Sequence, residues 1–428
     1  MTGGLVSTSS KTIFLSRSLG ALLIGQAGMY FSDMPDTLAP SITDTVELTR
    51  ALVRCESVTP REAGALQLLE RVLASLGFRC ERMDFSEAGT DDVANLFARI
   101  GRTGKHFCFA GHSDVVPVGD LSSWAIGPFS AELSGGYLFG RGAADMKGAI
   151  AAFTDAAARF LARRGRDFGG SISLLITGDE EGPAVNGTVK MLQRLAERGE
   201  RIDACVVGEP TSARRFGDMM KIGRRGSVNV GMVVRGVQGH VAYPERLDNA
   251  IHRLSALIEA LVREPLDRGS AHFQPSSLQF TTVDVGNKAT NIAPGTARAR
   301  FNVRFNDLWT SKTLLVHLRE RLERANAALG GNGVFELTAE VSGESFYTPP
   351  GPLSDLVADA VRDVAGIEPD LSTTGGTSDA RFIRAYCPVL EFGLVGETMH
   401  KVDEKSAIAD LITLSRVYEA MLDRYFTV

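Results

Sequence analysis

From about Val46 onward, apolar residues fall alternately at helical and at strand spacing. Val46 to Arg54 and Arg61 to Leu76 predict two helices, the second closed by Gly77. Short apolar runs at His106 to Gly111, Ser171 to Ile176 and Ala204 to Val207 predict strands, and Lys147 to Arg163 predicts a helix between the first two. That order indicates an α/β fold with a mostly parallel central sheet and helices on both faces.

Between about Gly226 and Gly343 the pattern changes. It reads strand Ser227 to Arg235, helix Asn249 to Arg263, strands Ser277 to Val285 and Thr296 to Phe305, helix Ser311 to Leu329, strand Phe335 to Val341. This β-α-β-β-α-β order is a split βαβ, ferredoxin-like unit. Ile251, Leu254, Leu257, Ile258 and Leu261 form one apolar stripe, which covers one sheet face and leaves the other face, or an edge strand, for a partner. Helix Leu353 to Val364 and strand Val389 to Phe392 return to the first pattern, so the small unit is an insertion. The expected organisation is an extension over residues 1–45, a main domain over 46–225 and 344–428, and an inserted domain over 226–343.

A chain of 428 residues is long enough for two cores, and 44% hydrophobic with 23% charged residues is an ordinary globular composition. The formal net charge of -5 supplies no surplus of cations for phosphate, which excludes nucleic acid as a partner. Cys55, Cys80, Cys108, Cys205 and Cys387 are scattered and odd in number, as expected of free thiols in a reducing compartment, hence the cytoplasm. Lys11 and Arg17 precede an apolar stretch, Leu19 to Phe31, that is too short to span a bilayer and lacks a clear A-x-A cleavage site. The first 45 residues are therefore expected to be a dispensable extension, with Met34 as the initiator and no membrane association.

The chemistry gathers where strands end. His112, in Gly111-His112-Ser113-Asp114-Val115-Val116-Pro117, should emerge at a strand's carboxyl end, with Asp114 placed to accept the proton of its other ring nitrogen. Gly140-Arg141-Gly142 begins like a dinucleotide fingerprint, but Asp145 stands where the third glycine belongs; Asp145 fits either a helix cap or a metal ligand. Asp179-Glu180-Glu181 leaves the end of another strand, and three adjacent carboxylates repel unless cations neutralise them or water solvates them. Glu209 follows a third strand, and His400 lies beyond the last one. Each has an ordinary structural explanation alone; together they form a carboxylate and imidazole set suited to two zinc ions sharing one carboxylate.

At this point the chain resembles the M20 dinuclear zinc peptidases, from roughly Val46 to the C-terminus. The broad motifs are G-H-x-D-V-V-P, G-R-G-x-x-D-M-K-G and D-E-E-G. Narrower ones, Gly182 to Thr188, Arg224 to Ser227, Gly236 to Pro244, Gly375 to Asp379 and His400-Lys401-Val402, are similar to those of members that release succinate from N-succinyl-LL-2,6-diaminopimelate in bacterial lysine and cell-wall synthesis. The resemblance implies a catalytic main domain, an inserted dimerisation or lid domain, and two Zn2+ per subunit, with Co2+ able to substitute. It assigns His112 and Glu209 to one metal, Glu181 and His400 to the other, and Asp145 to both. Glu180 becomes the general base, and His240 reaches the partner subunit's site in a homodimer to stabilise the oxyanion. Arg225 and Arg304 are expected to bind substrate carboxylates, and Asn291, Gly376 and Thr377 to contact the substrate through amide and backbone groups; Arg224 is open to a structural role. Ser113 replaces the more usual Thr, and Gly396-Glu397 replaces Asn-Ala, without removing a ligand. Two other readings are an acetylornithine deacetylase or aminoacylase of the same superfamily, and an inactive dimeric interaction protein.

Overall fold

The computed structural model describes residues 43–427, so the Leu19 to Phe31 stretch and Met34 lie outside the described residues. Strand Ser171–Thr177 is buried along its whole length, as are His106–His112 and Ala204–Val207, because helices cover both faces of the sheet they form. These three lie side by side and parallel, with Val389–Glu391 parallel beyond them. Among the described residues the sheet has eight strands; Arg79–Arg82 and Leu96–Gly101 add an antiparallel edge on one side, and Met219–Lys221 with Asp370–Ser372 completes the other.

Alternation along the central strands sorts the core into two layers. Phe107 and Phe109 meet helices Gly148–Arg164 and Ile408–Tyr425 on one face. Cys108, Ala110 and Cys205 meet helix Thr188–Glu197 and the short helix Ala380–Ile383 on the other. All five cysteines are free, and all but Cys80 are buried, as expected. Helix Ile408–Tyr425, which the sequence reading did not anticipate, buries Leu411, Leu414, Val417, Tyr418, Met421 and Leu422 on one face, and the Tyr418 hydroxyl donates to the Phe392 carbonyl at 2.6 Å.

The inserted unit matches its expected order. Its four antiparallel strands lie in the order Ser277–Asp284, Thr296–Phe305, Gly226–Arg235, Val334–Gly343. Helices Ala250–Val262 and Ser311–Leu329 cover one face, closing a separate apolar cluster around Val230, Leu257, Phe301 and Leu318. Asn229, Arg298 and Arg300 stand exposed on the other face. A third sheet of three short strands joins Glu132–Ser134 and Tyr137–Phe139 to Lys405–Ala407, and so brings the Asp145 segment beside the His400 loop. Among the described residues, no helix is long and apolar enough to cross a membrane.

Candidate active site

Three adjacent parallel strands deliver the first residues: His112 ends one, Glu180 and Glu181 follow Ser171–Thr177, and Glu209 follows Ala204–Val207. This is the carboxyl edge, where open α/β sheets place their ligands. Asp145 arrives from an irregular turn, Ala143–Lys147, ahead of helix Gly148–Arg164. It does not cap that helix. Its two oxygens diverge instead, Oδ1 lying 3.1 Å from His112 Nε2 and Oδ2 lying 3.2 Å from His400 Nε2.

Around each histidine a second carboxylate completes a set. Glu209 Oε1 lies 3.9 Å from His112 Nε2, and Glu181 Oε1 lies 2.9 Å from His400 Nε2. His112, Asp145 and Glu209 thus form one potential metal-holding group and Asp145, Glu181 and His400 another, with Asp145 common to both. Glu209 Oε1 is buried without a hydrogen-bond partner, a costly arrangement for a carboxylate that a cation would relieve. His400 has φ of +62°, in the left-handed region that non-glycine residues adopt uncommonly. The donor set therefore fits two divalent cations.

Asp114 acts differently from the sequence expectation. His112 Nδ1 meets the Asp114 main-chain carbonyl at 3.0 Å, while the carboxylate stands 3.7 Å from that nitrogen. The carboxylate instead accepts the backbone N–H groups of Glu180 and Glu181, at 3.4 and 3.0 Å. One residue thus orients a ligand through its backbone and the acidic loop through its side chain. Asp179 also turns inward, accepting the Val185 and Asn186 N–H groups at 2.8 and 2.9 Å, so the loop is not simply a solvated acidic turn.

The electrostatics are those of crowded carboxylates. Burial pushes Glu180 well above the usual carboxylate range, and the charges of Asp379, Glu181 and Asp145 add to it against the opposing pull of His112. Glu209 is raised well above that range by burial and by Asp145 and Glu180. Burial lifts Asp114 to about 6. Hydrogen bonds to Asp145 and Glu181 lift His400 to about 10. Bound cations reverse this balance, favouring ionised carboxylates and neutral imidazoles.

The fingerprint-like glycines do not face a phosphate. The N–H groups of Gly142, Ala144 and Asp145 point at Oε1 of Glu404, at 3.1, 3.0 and 3.2 Å. An internal carboxylate thus fills the anion nest.

The cluster opens into a cleft of about 630 Å³, lined by Glu180, Glu181, Glu209 and His400 on one side and by Asn229, Arg304 and Ser342 of the inserted unit on the other. Gly376 and Thr377 also line it. Arg225 does not; its guanidinium donates to the Pro275 carbonyl at 3.2 Å. Arg224 is held by a buried ion pair with Glu391 and also borders the cleft. His240 and Asn291 lie away from the cleft of their own chain. His240 is exposed on a two-residue strand paired with Ile292–Ala293, its Nδ1 accepting the Ala242 N–H at 3.1 Å. Sequence reasoning missed Arg381, which lines the cleft with a buried, unpartnered Nε; it stands two residues beyond the Gly375 to Asp379 motif.

Comparison with known proteins places these features in context. The family model described as peptidase family M20/M25/M40 matches residues 108–424. A succinyl-diaminopimelate desuccinylase of Rhodospirillum centenum is 55% identical over 383 residues, covering 90% of this chain and 97% of that one. The enzyme of the same name from Methylorubrum populi is 57% identical over 382 residues, covering 89% and 98%. Among solved structures, an M20 family metallo-carboxypeptidase of Sulfolobus solfataricus shares the fold with a TM-score of 0.72 at 17% identity, covering 90% of this chain and all of that one (100%).

Proposed function

The chain belongs to peptidase family M20/M25/M40, and from that premise we propose that it is a dinuclear zinc hydrolase that cleaves N-succinyl-LL-2,6-diaminopimelate to succinate and LL-2,6-diaminopimelate. The observation that carries the chemistry is Asp145, whose two oxygens face two separate histidine-carboxylate sets at the floor of one cleft. The substrate rests on the relatives at 55% and 57% identity, which carry the desuccinylase name over nearly their whole length.

In this reading His112 and Glu209 would hold one zinc and Glu181 and His400 the other, with Asp145 common to both sets. Bound divalent ions supply Lewis acidity toward the amide carbonyl and acidify water. Glu180, at the cleft wall, takes a proton from the attacking water and delivers it to the departing nitrogen. Asp114 keeps the Glu180 backbone in place for that transfer. Arg304 and Arg381 meet the substrate carboxylates, since both guanidiniums border the cleft and Arg381 Nε has no protein partner. Gly376 and Thr377 complete the wall.

Residues 226–343 form the dimerisation and lid domain, and 46–225 with 344–428 form the catalytic domain. His240, exposed and not lining its own cleft, serves the partner subunit's site in a homodimer, and Asn291 beside it does the same. The protein works in the cytoplasm. The test compares zinc-loaded protein on N-succinyl-LL-2,6-diaminopimelate and on N-acetylornithine. Higher kcat/KM on the succinyl substrate is expected, and faster acetylornithine turnover would replace this assignment with a deacetylase.

A further inference from the structure

Arg141 and Glu404 are charged residues that the proposed reaction leaves unused, yet they are almost fully buried, with side chains 3% and 0% exposed. An ion pair without water is costly unless every remaining donor and acceptor is engaged. Here both Glu404 oxygens are engaged and Arg141 is engaged through Nη1 and Nη2, while its Nε has no partner. Glu404 Oε2 accepts from Arg141 Nη1 at 2.6 Å, while Oε1 accepts the three backbone N–H groups of the turn that carries Asp145. Arg141 Nη1 also donates to the Lys401 carbonyl at 3.1 Å, and Nη2 to the His400 carbonyl at 3.4 Å. The guanidinium further lies 5.2 Å from the Trp124 ring. Gly140 N–H, in turn, donates to the Glu404 carbonyl at 2.8 Å.

We infer that Arg141 and Glu404 are positioning residues, a cross-brace that locks the Asp145 turn to the His400 loop and so builds the second metal position. The inference rests on the two-metal reading. Neither element is held by regular structure at the critical point: the Asp145 turn is irregular, and His400 sits at positive φ in a loop. The brace supplies the missing constraint from opposite sides, gripping the Asp145 turn by its N–H groups and the His400 loop by its carbonyls. Its effect is asymmetric. The His112 and Glu209 position borrows only Asp145 from braced backbone, whereas the Glu181 and His400 position borrows both Asp145 and His400.

The experiment titrates the metal-free full chain with Co2+ alone, in wild type and in Glu404→Ala, Glu404→Gln and Arg141→Lys. Affinities come from equilibrium dialysis and visible absorption, and unfolding midpoints of the metal-free proteins are measured alongside. Wild type should take up two equivalents. In Glu404→Ala the first should bind nearly as in wild type and the second about 10- to 100-fold more weakly, the range for residues that orient metal ligands. Glu404→Gln keeps an oxygen for the three N–H groups and should recover part of that loss, and kcat should return with excess Co2+ at unchanged KM. Arg141→Lys keeps the charge but loses the fork, and tests the brace if Glu404→Ala fails to fold. Two equivalents bound at wild-type affinity in all variants, or both weakened equally in step with a lower unfolding midpoint, would overturn the brace. Fewer than two equivalents in wild type would instead remove the two-metal reading beneath it.

Discussion

Glu180 stands buried beside Asp379, Glu181 and Asp145, and the hydration lost there raises its affinity for a proton. Glu180→Gln preserves shape and the N–H that Asp114 holds, so it should retain both metal equivalents while kcat falls about 100- to 10,000-fold, the usual worth of a general base. Near wild-type turnover in a fully loaded variant would take the base role from it. His106, at the other end of the strand that carries His112, illustrates the opposite effect. It is buried between the Arg201 carbonyl and the Ser173 hydroxyl, each 2.7 Å away, and burial lowers its pKa from 6.5 to about 4. Between those values the unfolded chain binds the proton and the folded chain does not, so stability falls as pH drops through 6.5 and levels off below about 4. His106→Gln should flatten that decline, which is worth on the order of 3 kcal/mol, in denaturant midpoints measured across the window.

Among the elements, the inserted unit has its own cluster and shares no buried apolar residue with the main core. Leu257 is fully buried in it, so Leu257→Ala should cost about 2–5 kcal/mol in chemical denaturation. Metal uptake should stay at wild-type stoichiometry; its loss would mean that the two cores are not independent. The unit was legible because its strands are amphipathic and its helices long: Thr296–Phe305 and Ser311–Leu329 coincide with the sequence expectation. Helix Arg61 to Leu76 instead begins at Ala65, since Ala63 and Gly64 take positive φ, of 45° and 86°. Short edge strands such as Met219–Lys221 and Asp370–Ser372 were missed because three residues carry no resolvable period.

For the whole molecule, the proposed role of His240 across a subunit boundary has a direct consequence. Glu180→Gln and His240→Ala should each be nearly inactive alone. Mixed and reassembled, their heterodimers hold one site with both groups, and activity should return to roughly a quarter of wild type if subunits exchange at random in a two-fold dimer. No recovery, with exchange verified, would place His240 outside the partner's chemistry. Removal of metal by a chelator should abolish turnover but leave the main fold in place, since the core around Phe109, Phe153 and Tyr418 contains no ligand; circular dichroism with and without chelator checks this.

By itself the sequence determined the α/β framework with helices on both sheet faces and the order of elements in the inserted unit, and it singled out the residues proposed as ligands, because periodicity and strand-end motifs are local and survive without coordinates. It also carried Glu180 and Gly376-Thr377 to the cleft. Only the tertiary structure decided that Asp145 divides its oxygens between two histidines, that Asp114 reaches His112 through its backbone, and that Arg381 lines the cleft while Arg225 bonds the Pro275 carbonyl. The physical reason is that these are choices of direction. A residue type and its spacing limit what a side chain can do, but which neighbour it meets depends on segments hundreds of positions apart, as with Arg141 and Glu404, being closed against one another.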